Sequence, residues 1–74
     1  MAEFLLKDAD VEIRAQVALS TNPIFALREL RVEREGDMLL ISGRVSSFYY
    51  KQLAQEVVRT VARGVVVVNS IEVD

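Results

Sequence analysis

The chain has 74 residues, of which 51% are hydrophobic, and its 9 basic and 11 acidic side chains leave a formal net charge of −2. Cys and His are both absent, which excludes disulfides, thiolate or imidazole metal sites, cysteine nucleophiles and Ser/His/Asp triads. The acidic balance provides no positive field for phosphate backbones, so nucleic acid is not an expected partner. The length allows one small domain, for which self-association is a plausible source of extra stability.

The spacing of apolar residues predicts a first helix that begins at Asp8 or Asp10, whose short carboxylates can cap free backbone N–H groups. We therefore assign residues 1–7 to an amino-terminal arm and residues 8–74 to the domain. The predicted buried stripe of this helix consists of Val11, Ala15, Ala18 and Leu19. Ile13 and Val17 lie off that stripe, and we predict that they pack under the arm or contact another subunit.

Asn22-Pro23 ends the first helix, because Pro cannot donate a backbone hydrogen bond and restricts the residue before it. An alternating strand is then predicted from Leu30 to Glu35, with a turn at Gly36-Asp37. The second strand of this hairpin runs from Met38 to Val45. One of its faces carries Leu39, Ile41, Gly43 and Val45, and the other carries Met38, Leu40, Ser42 and Arg44.

A second helix shows the clearest periodicity in the chain and is predicted to start after a cap at Ser46 or Ser47. Its apolar stripe consists of Tyr50, Leu53, Ala54, Val57, Val58, Val61 and Ala62. Gly64 is expected to close the helix, since glycine tolerates a left-handed cap. A last strand follows from Val65 to Val73, with its alternate residues facing the helices.

These elements predict an α+β fold of order α-β-β-α-β, with a three-stranded mixed sheet and both helices packed on one face. The helical crossover allows the last strand to run parallel to a hairpin strand. The shared core is predicted to contain Leu39, Ile41, Val45, Leu53, Val57, Val61, Val67 and Ile71. Leu40, Val66 and Val68 then point away from the helices, and such an apolar patch is typical of a surface that binds a partner.

The segment Leu39-Leu40-Ile41-Ser42-Gly43-Arg44-Val45, the Ser-started helix, Gly64-Val65 and the tail Asn69-Ser70-Ile71-Glu72-Val73 together resemble the BON domain, the bacterial osmotic-shock and nodulation domain. The resemblance covers residues 10–74. The string from Ser47 to Gln55 looks like the version found in small planctomycete-type proteins. The connection before Asn69 is shorter than is usual in that family, which affects the expected register of the last strand.

The resemblance implies a noncatalytic module that binds phospholipid surfaces or cell-envelope partners, with no cofactor. In that pattern Gly43 and Gly64 are backbone positions, and Gly36 serves the hairpin turn in the same way. The single copy, the negative net charge and the absence of a visible export signal argue against a membrane role. No apolar run in the sequence is long enough to span a bilayer. The expectation is a cytoplasmic protein if the chain is complete.

Three groups of side chains are candidate binding sites. Phe48, Tyr49 and Lys51 can form a tip for a lipid or protein contact, although covering of the core by the two rings is the interpretation we favour. Asp8, Asp10 and Glu12 can be read as a cation site, but they lack the spacing of a calcium loop, so helix capping is preferred and no metal is predicted. The arginines Arg28, Arg31, Arg34 and Arg44 are interleaved with glutamates, which favours cross-strand ion pairing or ordinary solvation over an anion site.

The resulting hypothesis is a noncatalytic binding module that contacts a protein partner or assembles with itself, with a homodimer as the simplest form. Its self-association residues are predicted to be Ile13, Val17, Leu40, Val66 and Val68. The alternative is a module that binds a phospholipid surface through the Phe48, Tyr49 and Lys51 tip. An enzyme is not expected, because no nucleophile can be paired with a base.

Overall fold

The computed structural model describes the backbone of residues 2–74 and the side chains of residues 11–74. It contains two α-helices, one short 3₁₀ helix and five short strands. In chain order these are α1 (Ala2–Ser20), η1 (Phe25–Leu27), β1 (Arg31–Glu35), β2 (Met38–Ser42), β3 (Arg44–Val45), α2 (Phe48–Val61), β4 (Val66–Asn69) and β5 (Glu72–Val73). The predicted α+β class is confirmed.

The sheet has three strands in the order β1-β2-β4, with β2 in the centre. β1 pairs antiparallel with β2 through the hairpin, and β4 pairs parallel with β2 after the α2 crossover. The predicted three-stranded mixed sheet is therefore confirmed. β3 and β5 form a further parallel pair, and Arg44 and Glu72 are partners in it, 28 residues apart. Met38 and Val66 have the same separation, so the two parallel pairs share one register.

The prediction that Met38–Val45 and Val65–Val73 are each one unbroken strand is wrong. Gly43 interrupts the first, with a φ of 133° that side chains rarely tolerate. The second is interrupted after Asn69, whose side-chain Oδ1 accepts a hydrogen bond from the Ile71 N–H at 3.2 Å. The backbone bonds between the two segments nevertheless continue, because Glu72 N donates to Gly43 O at 2.9 Å. The break thus leaves the register unchanged.

Helix α1 begins at Ala2, so the prediction that Asp8 or Asp10 caps its start is wrong. No Pro or Gly lies between Ala2 and Asp10, and nothing in the local sequence therefore prevents the helix from extending toward the amino terminus. The backbone of residues 2–7, assigned above to an arm, is part of this helix. The side chains of Asp8 and Asp10 lie outside the described residues.

The core draws its buried residues from both helices, from η1 and from one face of the sheet. Its buried members are Ala15, Leu19, Leu27, Leu30, Val32, Leu39, Ile41, Val45, Ala54, Val58, Ala62 and Ile71. Of the predicted core, Leu39, Ile41, Val45 and Ile71 are buried, whereas Leu53, Val57, Val61 and Val67 are only partly buried. The most deeply buried line of α2 instead runs along Ala54 and Val58 to the C-cap residue Ala62.

Burial alternates along β2, where Leu39 and Ile41 are fully buried while Met38 is 38% exposed and Leu40 is half-buried. Such alternation marks a sheet with one covered face and one open face. This pattern, together with the packing of α1 on both α2 and β1, is consistent with both helices lying on one side of the sheet.

The side chain of Gln16 fastens α1 to the outer edge of β1. Its Nε2 donates to Leu30 O at 3.0 Å and its Oε1 accepts from Val32 N at 2.8 Å. Val32 is paired with Ile41 on its other side. Gln16 therefore occupies backbone groups that would otherwise be free at the edge of the sheet.

Replacing Gln16 by Ala removes both partners of these backbone groups while α1 keeps its helical propensity. Leaving partly buried polar groups unsatisfied costs about 1 to 3 kcal/mol, and we expect Gln16→Ala to lower the free energy of unfolding by that amount in urea titrations. Gln52→Ala, at an exposed position of α2, is the control and should change it by less than about 0.5 kcal/mol. Equal effects of the two changes would contradict the fastening role.

Candidate functional site

The amino-terminal end of α2 presents two exposed aromatic rings. Ser47 caps the helix, its Oγ accepting a hydrogen bond from Tyr50 N at 3.2 Å, as predicted for one of the two serines. The two residues that follow this cap leave the core, with Phe48 74% and Tyr49 66% exposed. The favoured interpretation, that both rings cover the core, is therefore wrong, because the buried face of α2 starts only at Tyr50.

A cation lies beside one exposed ring of α2 and beside one exposed ring of η1. Lys51 Nζ lies 6.0 Å from the centroid of the Phe48 ring, and Arg28 Cζ lies 5.7 Å from that of Phe25. Both distances are within the range of cation–π attraction. Phe25 is 70% exposed and belongs to η1, which packs against α2. We call Phe25, Arg28, Phe48, Tyr49 and Lys51 the aromatic tip.

The contribution of η1 to this tip was not predicted from the sequence. The available signal was Asn22-Pro23, which stops α1 and directs the chain into a turn, where Asn22 Oδ1 accepts from Ile24 N at 2.9 Å. The same turn positions Arg28, whose Nε donates to Asn22 O at 2.7 Å. The turn thus exposes one aromatic ring beside a cation and buries Leu27 beneath it.

The second candidate surface lies on the sheet face that is not buried in the core. Met38 is paired with Val66 and Leu40 with Val68 across β2 and β4, so these four side chains are neighbours, and we call them the open-face patch. Val66 is 59% exposed, Met38 is 38% exposed, and the other two are half-buried. The structure thereby brings together the three open-face residues named from the sequence and adds Met38 to them.

The open-face patch is bounded by charge on one side only. Glu33 lies opposite Leu40 and Glu35 lies opposite Met38 in the β1 to β2 pairing, and both glutamates are exposed. On the other side β4 ends the sheet. The apolar surface therefore runs up to the β4 edge.

Ile13 and Val17 do not join this patch. They are 59% and 51% exposed and lie one turn apart on α1, which confirms that they are off the buried stripe. Since α1 packs on α2 and on β1, these two residues form a separate apolar surface on the helical layer. The structure does not bring the five predicted self-association residues into one site.

Asn69 connects β4 to α2 at the end of the open-face strand. Its Nδ2 donates to Lys51 O at 3.0 Å and to Gln55 Oε1 at 3.1 Å. These bonds hold the start of α2, and hence Phe48 and Tyr49, in a fixed position relative to the sheet. From the sequence, Asn69 stood out only as part of the resemblance to the BON domain, and this contact was not predicted.

Of the four interleaved arginines, Arg44 forms a cross-strand ion pair of the kind expected. Its Nη2 lies 3.0 Å from Glu72 Oε1 and its Nε lies 3.4 Å from Asp74 Oδ1. The hydrogen bond to Glu72, followed by the charges of Asp74 and Glu72, raises the pKa of Arg44 above its ordinary value. All three side chains are exposed, so the pairs contribute little to stability.

A groove of about 360 Å³ lies near the hairpin turn. In that turn Gly36 has a φ of 60°, as predicted for a turn glycine. Its lining includes Val11, Arg34, Asp37 and Gly64. Gly64 has a φ of 80° and follows α2.

Within the described part of the chain, no three His, Cys, Asp or Glu residues lie close enough to hold a metal ion. Neither helix there has the length and apolar character needed to cross a bilayer.

The chain was compared with known protein families and with curated proteins. A scan against protein-family models gives no match. A search of the curated proteins likewise finds no matching sequence.

Proposed function

We propose that this protein is a noncatalytic binding module that associates with a second copy of itself through the open-face patch. The observation that carries the proposal is the exposure of Val66 and Met38 beside the half-buried Leu40 and Val68, on the sheet face opposite the buried Leu39 and Ile41. A contiguous apolar patch that is partly exposed on a sheet face is typical of an interaction surface. The α+β fold and the resemblance to the BON domain are both compatible with this role.

Physical chemistry favours a second copy as the occupant. No charged residue lies between Arg63 and Glu72, so two copies of β4 can approach without like-charge repulsion. A net charge of −2 opposes association only weakly. Identical surfaces form two-fold interfaces readily, since each favourable contact occurs twice.

Val66→Lys tests this proposal, because it places a charge in the patch without disturbing the buried face. We expect the wild-type mass in sedimentation velocity to rise with concentration toward that of two chains, and the variant to remain a single chain. Gln52→Lys adds the same charge at an exposed position of α2 and should behave as the wild type. A strictly single-chain mass for the wild type at its highest attainable concentration would refute the proposal.

The aromatic tip supports a second candidate function, binding to a phospholipid surface. Three exposed rings on α2 and on η1, which packs against α2, two of them with cations nearby, match the preference of aromatic side chains for the interface between acyl chains and headgroups. The cations add attraction to anionic lipids, worth about 1 kcal/mol for each basic residue near the surface. This function also agrees with what the BON resemblance implies.

The double change Phe48→Ser and Tyr49→Ser tests the lipid-binding function by co-sedimentation with liposomes, with and without anionic lipid. We expect the wild type to bind the anionic liposomes and the double variant to lose most of that binding, because it removes both rings of α2 at the tip. Ile13→Ser with Val17→Ser removes two exposed apolar residues elsewhere and should bind normally. Unchanged binding by a folded tip variant would rule out this contact.

A further inference from the structure

The two edges of the sheet differ in how their backbone groups are satisfied. At the β1 edge, Gln16 binds Leu30 O and Val32 N, and the strand carries charged residues at Arg31, Glu33, Arg34 and Glu35. Charged side chains and covering groups are the devices that prevent an edge strand from pairing with another chain. The β1 edge is therefore protected.

The β4 edge has no such protection over most of its length. Along the parallel ladder, Ser70 N donates to Ile41 O, Glu72 N to Gly43 O and Asp74 N to Val45 O. Because alternate residues of a strand bond to the same neighbour, Val68 also faces β2, whereas the backbone groups of Val67 and Asn69 point outward. Among the described residues nothing hydrogen-bonds to these outward groups.

The free edge has a defined length and composition. It stops at Ile71, whose N–H is already bonded to Asn69 Oδ1. The strand itself is Val-Val-Val-Asn, without charge, Pro or Gly. A short uncharged strand of β-branched residues with outward backbone groups is the template that a further strand would extend.

We propose that two copies of this chain pair antiparallel through β4, with Val68 of each copy on the two-fold axis. This inference rests on the proposed self-association and specifies its geometry. In that register Val67 and Asn69 of one copy form a hydrogen-bonded pair with Asn69 and Val67 of the other, so every outward group of the edge is satisfied. The result is one six-stranded sheet in which the two open-face patches join across the axis.

This register also brings the apolar side chains of the two open-face patches into contact across the axis. Val68 faces its own counterpart as a non-hydrogen-bonded pair, in which side chains lie closest. Val66 and Leu40 of each copy then flank this central pair on the same face. Pairing through the β1 edge would instead require Gln16 to release its two backbone partners, and the proposal therefore involves β4 alone.

Cysteine cross-linking tests this geometry directly, because the chain contains no other Cys. A non-hydrogen-bonded antiparallel pair has a Cα separation of about 4.5 Å, which a disulfide can bridge. We expect Val68→Cys to form a covalent dimer under mild oxidation. Val66→Cys, on the same strand and face and more exposed, lies two residues off the axis in each copy and should remain largely uncross-linked.

A backbone variant provides an independent readout. Val67→Pro removes an outward N–H that the dimer needs but that the β2 to β4 ladder does not use, and edge strands tolerate Pro at such positions. We expect it to be monomeric in sedimentation velocity, whereas Val67→Thr, which keeps the N–H, should dimerise as the wild type does. If Val67→Pro fails to fold, the Val68→Cys and Val66→Cys pair decides the question.

The outcomes separate this geometry from the proposed function. Equal cross-linking of Val68→Cys and Val66→Cys, or a dimer that survives Val67→Pro, would overturn the β4 pairing while self-association stood. A wild-type chain that stays monomeric at every concentration would overturn both. Selective cross-linking at position 68 together with a monomeric Val67→Pro would support both.

Discussion

Replacing Ile41 by Ala should lower the free energy of unfolding by about 3 to 4 kcal/mol, within the range measured for large-to-small changes at fully buried aliphatic positions. Ile41 is 0% exposed on the central strand β2 and belongs to the hydrophobic core, so its truncation leaves a cavity. In a domain of this size each kcal/mol shifts the midpoint of thermal unfolding by about 4 to 8 °C. We therefore expect the midpoint to fall by about 12 °C or more.

Leu40→Ala is the matched control, because Leu40 is the preceding residue of the same strand but is half-buried on the open-face patch. Its truncation removes less buried surface, and we expect a loss of about 1 kcal/mol. Urea titrations of both variants at low protein concentration keep association from adding to the difference. Equal losses at the two positions would show that the faces of β2 are assigned wrongly.

Gly43→Ala should cost about 3 kcal/mol, since it combines two separate penalties. The φ of 133° at Gly43 is a conformation that L side chains rarely adopt, and such strain costs about 1 to 3 kcal/mol. A Cβ at this position would also lie 2.7 Å from Leu30 Cδ2, and because Leu30 is buried, its side chain would have to shift within the packed core. The chain therefore needs Gly where β2 gives way to β3.

Gly64→Ala separates the two penalties. Gly64 has a φ of 80°, and no atom lies within 4 Å of a Cβ built there, so only the backbone strain applies, and about 1 kcal/mol is expected. Both variants are compared by urea unfolding. A Gly43→Ala loss no larger than that of Gly64→Ala would mean that Leu30 does not restrict position 43.

The sequence was most informative where structure depends on local periodicity. The α2 stripe, the Ser47 cap, the hairpin turn at Gly36 and the alternation of β1 were all predictable, because each depends on spacing within a few residues. The opposite faces of β2 followed from the same alternation. With these, the three open-face residues of the candidate site could be named before the structure was known.

Features that depend on contacts between distant segments were not predictable. Gln16 and Asn69 join helices to strands from 14 or more residues away, and no short-range pattern marks such a bond. The exposure of Phe48 and Tyr49 likewise depends on the rotation of α2 against the sheet, which the start of an apolar stripe does not fix. The α2 part of the aromatic tip could therefore be named from the sequence, but its exposure and the contribution of η1 could not.

The central claim is that the chain associates with itself through the open-face patch and the β4 edge, and amide NMR spectra of the wild type recorded over a wide concentration range test it most directly. We expect the concentration-dependent shifts to concentrate at Met38, Leu40 and residues 66–69, with the signals of residues 25–28 and 48–51 unchanged. Spectra that do not change with concentration, or shifts confined to the aromatic tip, would contradict the claim.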